Sequence, residues 1–244
     1  KLISGGYAEK VAVPEDLVMP IPEGLSFEQA ASLPEVYATC YLNLFVEGEY
    51  QPGETLFFPA AASGLASAGI PMAKAFGAYV ITSVRDSETL AKVRNLGADV
   101  IVDTSREDVV EVLKREAGKG HPVDVAIDCL AGEVIGRAFE NVNQGCRWVI
   151  VSTLAGKETT VPLRALLTKG IKFKGSMLRK RTVAEKKAIL DNLVAKVWPK
   201  LADKSIVPSI YKVLPITEAE QAHAILASGQ HNGKVVLTVR TTRF

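Results

Sequence analysis

Thr55-Leu56-Phe57-Phe58-Pro59-Ala60-Ala61-Ala62-Ser63-Gly64-Leu65-Ala66 reads as an apolar strand and a tight turn of small residues, and Ser67 to Phe76 follows as a helix that Gly77 ends. Tyr79-Val80-Ile81-Thr82 is a second short apolar strand, closed by the polar break Arg85-Asp86-Ser87. Strand, small-residue turn, helix and strand make a βαβ unit with the layout of a dinucleotide site. Small side chains let a backbone approach a pyrophosphate, and the helix start offers it free N–H groups and a positive dipole end. The layout points to a nicotinamide cofactor and to hydride chemistry. The turn departs from the usual Gly-x-Gly-x-x-Gly, because Ala60, Ser63 and Ala66 hold the spacing and Gly64 lies inside it. An ordinary strand-to-helix turn of another parallel-sheet protein fits the same residues.

The alternation continues outward. Strands are expected at Thr55–Phe58, Tyr79–Thr82, Val100–Val102, Val123–Asp128, Arg147–Val151 and Ile171–Gly175. They are short and β-branched, as strands covered on both faces should be. Helices are expected at Ser67–Phe76, Ser87–Leu96, Asp108–Ala117, Glu133–Asn141 and Leu163–Lys169. Six strands with right-handed helical crossovers predict an α/β fold with a doubly wound, six-stranded parallel Rossmann sheet. Before it, Tyr7–Val13 alternates like a strand, a proline-rich link carries Pro14, Pro20 and Pro22, and Ser26 can cap a helix beginning at Phe27. After Gly175 the pattern changes. A long helix over Ala184–Leu201, a strand at Tyr211–Leu214, a helix from Ile216 to Gly229 and a strand at Gly233–Val239 are expected to join the opening strand in a smaller, mixed β domain.

The bulk composition excludes several classes. The chain has 244 residues, 48% hydrophobic and 23% charged, with net charge +2. Such a balance suggests neither nucleic acid nor an anionic membrane as a partner. No apolar run approaches a membrane span, and Lys1 to Gly6 has no signal-peptide pattern. Cys40, Cys129 and Cys146 are odd in number and far apart, so no disulfide framework is implied. His121, His223 and His231 are scattered, and no zinc site is expected. A reducing, cytoplasmic setting fits.

Further motifs carry a resemblance. Gly5-Gly6-Tyr7-Ala8-Glu9, Val18-Met19-Pro20-Ile21-Pro22-Glu23-Gly24-Leu25-Ser26 and Ala30-Ala31-Ser32-Leu33-Pro34-Glu35 resemble the zinc-free quinone oxidoreductases. These form the branch of the medium-chain dehydrogenase/reductase superfamily that includes ζ-crystallin. Pro52-Gly53-Glu54-Thr55, Ala73 to Ala78, Leu96-Gly97-Ala98-Asp99, Val123-Asp124 and Gly233 to Leu237 follow in the family's order. The resemblance spans essentially the whole chain. It implies a remnant of a GroES-like catalytic domain over 1–29, a Rossmann domain over 30–177 and the rest of the incomplete GroES-like domain over 178–244. It also implies that the family's opening barrel strands are missing, so that the chain is N-terminally truncated.

The resemblance further implies NADPH-dependent, zinc-independent reduction of quinones or α,β-unsaturated carbonyls, with NADH the weaker cofactor and a homodimer formed through the edge strand 171–175. Its cofactor contacts map onto Ala60, Ser63, Gly64, Leu65 and Ala66 at the pyrophosphate turn, and onto Thr39 and Asn43 near the nicotinamide. Ser83 and Arg85 fall at the adenosine ribose, where a guanidinium suits a 2′-phosphate. Cys129, Leu130, Ser152, Thr153 and Leu154 follow the fourth and fifth strands, Met177 and Leu178 follow the sixth, and Asn232 precedes the last. No side-chain proton donor is singled out.

Each position also has a plainer reading. Thr39 also reads as a helix-face hydroxyl, and Arg85 reads equally as a solvated charge. Cys129 and Met177 read as packing, and Arg179-Lys180-Arg181 as a solvated link. Asp86 would repel a 2′-phosphate. Pro59 stands where relatives often carry histidine, and Pro71 inside the first helix deletes a hydrogen bond to the Ser67 carbonyl and should kink it. Two rival functions stay open: a non-catalytic, crystallin-like scaffold with a degraded cofactor site, and an enoyl reductase acting on acyl thioesters.

Overall fold

The computed structural model describes residues 4–229 and 231–239. Residues 1–3, 230 and 240–244, which fall within the expected terminal domains and the opening motif, lie outside the described residues.

Six strands form the central sheet: β1 (Thr55–Phe58), β2 (Tyr79–Val84), β3 (Val100–Asp103), β4 (Val123–Asp128), β5 (Val142–Ile150) and β6 (Lys172–Gly175). Their order is β3-β2-β1-β4-β5-β6 and every pairing is parallel. The chain reverses its direction of travel between β1 and β4, so the connections diverge there and leave a crevice at the strands' carboxyl ends. The six strands expected for this sheet all form. β2 runs two residues further than expected, and β5 begins earlier, at Val142.

The helices are α1 (Phe27–Ala31), α2 (Pro34–Tyr41), α3 (Ala66–Ala75), α4 (Ser87–Val93), α5 (Val109–Gly118), α6 (Glu133–Ala138) and α7 (Leu163–Lys169), followed by α8 (Val183–Lys196), α9 (Trp198–Ala202) and α10 (Ala219–Ser228). Their starts follow from local chemistry. Ser26 and Gln29 form a reciprocal capping box, as do Thr182 and Glu185. Asp86 accepts from the Thr89 N–H, and Asp108 from those of Val110 and Glu111. Side chains of β1 alternate between two helical layers. Leu56 and Phe58 join Ile70 and Ala73 of α3, while Phe57 joins Val112 and Leu113 of α5 and Ile135 of α6. A third cluster binds α2 to α8 and α9 through Tyr37, Tyr41, Leu190, Leu193 and Trp198.

Three expectations change. Tyr7–Val13 is not a strand, and its residues are exposed. Alternation alone does not make a strand, and among the described residues no neighbouring strand completes the ladder here. The long helix over Ala184–Leu201 is two helices, because Pro199 cannot donate to the preceding turn and its ring crowds that turn's carbonyl. The smaller sheet holds two strands, β7 (Ile210–Pro215) and β8 (Lys234–Thr238), and they are parallel, joined through α10. α3 runs from Ala66 to Ala75 with Pro71 inside it.

β6 borders the main sheet. Its alternating lysines are tied within the chain, Lys172 to Glu49 at 2.8 Å and Lys174 to Glu47 at 2.7 Å.

Candidate functional site

The turn after β1 is braced from beneath. Ala60 takes a left-handed backbone with φ of 59°, a conformation that costs a non-glycine residue about 1–3 kcal/mol unless its surroundings hold it. Ser83 at the end of β2 holds it: its hydroxyl oxygen accepts from the Ala60 N–H at 3.3 Å and its carbonyl from the Ala61 N–H at 2.9 Å. The Ser63 N–H then donates to the Ala60 carbonyl at 2.8 Å. The Ser63 hydroxyl oxygen caps α3 by accepting from the Ala66 N–H at 3.1 Å. What remains is informative. The N–H groups of Ala62, Gly64 and Leu65 donate to nothing among the described residues. Three free donors at a helix start in the switch-point crevice form an anion site of the kind a pyrophosphate needs.

Lys234, the first residue of β8, lies over this turn. A β-carbon placed on Gly64 would come within 3.7 Å of its Cδ. Lys234 is half-buried, and its ammonium has no hydrogen-bond or ion-pair partner among the described residues. A cationic side chain without a partner, its stem over Gly64, adds positive charge on the side of the turn's free N–H groups. Sequence reading took Gly233-Lys234 as the opening of a strand and as part of a family motif, and not as a cofactor contact. The available signal was a lysine directly after a strand-opening glycine.

Beside Ala62 the crevice deepens into a cleft of about 140 Å³ lined by Arg85, Thr89, Lys92, His231 and Asn232. The Arg85 guanidinium donates to the Gly229 carbonyl at 3.4 Å, and the Asn232 amide donates to the Lys92 carbonyl at 2.8 Å. His231 Nδ1 and Asn232 Oδ1 are buried with no hydrogen-bond partner among the described residues. Buried polar atoms of this kind are costly unless a ligand or water satisfies them. Lys92 is engaged by Glu88 at 2.6 Å, which leaves Arg85 as the cation facing the cleft. The hydrogen bond from the Thr89 N–H holds the Asp86 carboxyl below its ordinary range, so that it stays ionised as the cap of α4. His231 and Lys92 are additions that sequence reading did not make.

On the other side of the turn, the loops after β4 and β5 are zipped together. The Leu154 N–H donates to the Cys129 carbonyl at 3.2 Å and the Ala155 N–H to the Leu130 carbonyl at 2.8 Å. Leu130 takes part in this seam, Ser152 and Thr153 directly precede it in the β5 loop, and Leu154 is 73% exposed. The Cys129 thiol points at the Pro59 carbonyl, 3.8 Å away. Burial, helped by the neighbouring Asp128 charge, pushes that thiol up to about 11. Little of it is thiolate at neutral pH, so it reacts slowly. Met177 is exposed beyond β6, and Thr39 donates to the Glu35 carboxylate at 3.3 Å from a half-buried place on α2. Cys40, next to Thr39, joins α2 to the turn through the Leu65 carbonyl at 3.4 Å.

Five of the expected contacts are buried instead. Asn43 is 1% exposed and its amide donates back to the Thr39 carbonyl at 2.7 Å, within the helical stretch that continues α2. Leu178 belongs to the core cluster with α2 and α8. Ala66, Ser83 and Cys129 are buried as well and shape the turn from behind. The third-glycine role falls to Gly69 rather than Ala66, because a β-carbon there would stand 2.3 Å from the Phe58 ring. A glycine amid small helical residues was the signal for it.

Among the described residues, no group of three or more His, Cys, Asp and Glu side chains is arranged to hold a metal ion, and no helix is long and apolar enough to cross a membrane.

Comparison with known proteins places this geometry. The family model described as zinc-binding dehydrogenase matches residues 64–195. The lovastatin diketide synthase of Aspergillus terreus (strain NIH 2624 / FGSC A1156) is 29% identical over 244 residues, an alignment covering 98% of this chain and 10% of the synthase. The quinone oxidoreductase-like protein 2 homolog of Nematostella vectensis is 33% identical over 166 residues, 68% of this chain and 45% of that protein. Among solved structures, the quinone oxidoreductase from Thermus thermophilus, determined also in complex with NADPH, superposes with a TM-score of 0.81 at 28% identity, over 96% of this chain and 74% of that one. The chain thus spans about a tenth of the synthase and less than half of the Nematostella protein.

Proposed function

This chain belongs to the zinc-binding dehydrogenase family, as a quinone oxidoreductase-like member of the medium-chain dehydrogenase/reductase superfamily, and from that premise we propose that it is an NADPH-dependent, zinc-independent reductase of quinones or α,β-unsaturated carbonyls. One observation carries the reading. The turn that carries the three free N–H groups lies beneath the Lys234 side chain at Gly64 and contributes Ala62 to the Arg85 cleft. In this reading Ala62, Gly64, Leu65 and Lys234 hold the pyrophosphate. Arg85, with His231 and Asn232, takes the adenosine 2′-phosphate. Thr39, Met177, Leu130, Ser152 and Thr153 flank the nicotinamide end. The nicotinamide, when bound, supplies the hydride. The residues of the chain orient it and keep water from it.

Titration of NADPH and of NADH into the purified protein, followed by nicotinamide fluorescence, tests the reading. Saturable binding that favours NADPH is the expected result. A folded protein that binds neither cofactor would favour the scaffold alternative and sink the reductase. Arg85→Ala is expected to raise the NADPH dissociation constant about tenfold, the worth of one charge-assisted contact, and to leave NADH unchanged. Equal loss for both cofactors would remove Arg85 from the 2′-phosphate. Asp86→Asn should act oppositely. Asparagine keeps the cap of α4 but carries no charge to repel a phosphate, so the preference for NADPH over NADH is expected to rise about threefold, on the scale of one screened surface charge. An unchanged ratio would show that Asp86 does not face the phosphate.

A second reading is favoured by the match to the synthase along nearly the whole chain. It keeps the same cofactor chemistry and changes the acceptor to an enoyl thioester. Turnover of a crotonyl thioester but of no quinone would select it. We also propose a homodimer paired through β6, whose outer edge has no ladder partner among the described residues. A monomeric mass in sedimentation would remove it.

A further inference from the structure

Asp128 ends β4 beneath the crevice and is 2% exposed. One carboxylate oxygen accepts from two successive backbone donors, the Leu130 N–H at 2.8 Å and the Ala131 N–H at 2.9 Å. The other accepts from the Trp148 indole N–H at 3.1 Å. Trp148 is fully buried in β5, with its ring against Phe57 and Phe139 at centroid distances of 5.8 and 5.6 Å. The buried aromatic core around Trp148 is thereby wired to the loop that follows β4. That loop takes an unfavourable path, since Ala131 adopts a left-handed φ of 57°, which a non-glycine residue keeps only when its neighbours hold it. The same loop carries the seam to the β5 loop and joins it again where Ala131 bridges to Gly156. There the backbones are so close that a β-carbon on Gly156 would stand 2.9 Å from the Gly132 Cα.

Resting on the dinucleotide reading above, we infer that Asp128, oriented by the Trp148 indole, is the positioning residue that sets both cofactor-flanking loops against the pyrophosphate turn. A buried carboxylate is an expensive way to fasten a loop. Here its two oxygens face only donors, so one residue fixes the loop's path and ties it to the core. The arrangement also makes a specific demand. Asparagine can keep its oxygen on Leu130 and Ala131 only by turning its NH₂ toward the indole N–H, where donor meets donor.

The test is a double-mutant cycle in the whole chain. Asp128→Asn is expected to raise the NADPH dissociation constant about tenfold, the effect of one lost charge-assisted hydrogen bond. Trp148→Phe removes the conflicting donor, and the double variant should return to within about threefold of Trp148→Phe alone. The second readout needs no cofactor. Alkylation of Cys129, followed by mass spectrometry of its peptide, should be faster in Asp128→Asn than in the double variant. The charge is absent from both proteins, so the difference reports the loop's fit and not the thiol's ionisation.

Independent, additive effects of the two substitutions would overturn the inference, as would unchanged affinity in Asp128→Asn. If the unaltered protein binds no NADPH, the cofactor reading falls separately and Cys129 alkylation decides the loop's positioning alone. If Asp128→Asn does not fold, Trp148→Phe by itself decides the matter. It strips the carboxylate of one donor, so it should weaken NADPH binding about threefold and speed Cys129 alkylation; no change in either would overturn the proposal.

Discussion

Gly69→Ala is expected to destabilise the protein by about 2 kcal/mol and to weaken NADPH binding with it, in the range found for added methyl groups in packed cores. The new β-carbon would stand 2.3 Å from Phe58 Cε2, 2.7 Å from Cζ and 3.2 Å from Cys40 Sγ. None of these groups has room to yield, since Phe58 and Cys40 are each 1% exposed. Alanine in a helix is worth about 1 kcal/mol over glycine, which offsets only part of the clash. Relief requires α3 to move away from β1, and α3 carries the turn whose free N–H groups face the crevice. Denaturant unfolding measures the first effect as a lower midpoint at unchanged slope. A midpoint equal to that of the unaltered protein would show that the helix and strand are not locked at this point.

Lys234→Ala is expected to weaken NADPH and NADH alike, by about 10- to 100-fold, because hydrogen bonds to charged groups contribute about 1.5–3 kcal/mol. The lysine overlies Gly64 and has no ionic partner among the described residues. Its removal therefore leaves no buried carboxylate behind, and the loss reports the cofactor and not the fold. The pyrophosphate is common to both cofactors, which separates this variant from Arg85→Ala. Salt sensitivity of binding should also fall, since one screened charge pair is gone. Loss confined to NADPH would move Lys234 to the 2′-phosphate, and unchanged affinity for both would take it out of the site.

Lys234 also shows where sequence reading stops. The βαβ layout was legible because its signals are local. Three apolar residues in β1, small residues in the turn and a polar break after β2 each report the burial and backbone freedom of their own position. The caps at Ser26, Asp86, Asp108 and Thr182 are local in the same sense, since each carries its own acceptor to a nearby N–H. The opening strand misled because a strand is completed by its neighbour, and alternation in Tyr7–Val13 says nothing of whether that neighbour is present. Asn43 misled because a residue one turn beyond Thr39 shares its face on an ideal helix, whereas the chain here continues α2 as a π-helix over Leu42–Glu47 and turns the amide inward.

The sequence by itself determined the class of the fold, the order of its strands along the chain and the place of the crevice. Periodicity, turn residues and caps act within a few positions and need no distant partner. Only the tertiary structure decided which groups fill that crevice. Asn232 meets the Lys92 carbonyl across 140 positions of sequence, and Arg85 meets Gly229 across 144. Lys234 reaches Gly64 only because β8 folds back over the turn. No local propensity records such meetings, since they arise from how whole elements pack, and packing is a property of surfaces that the chain brings together only once it has folded.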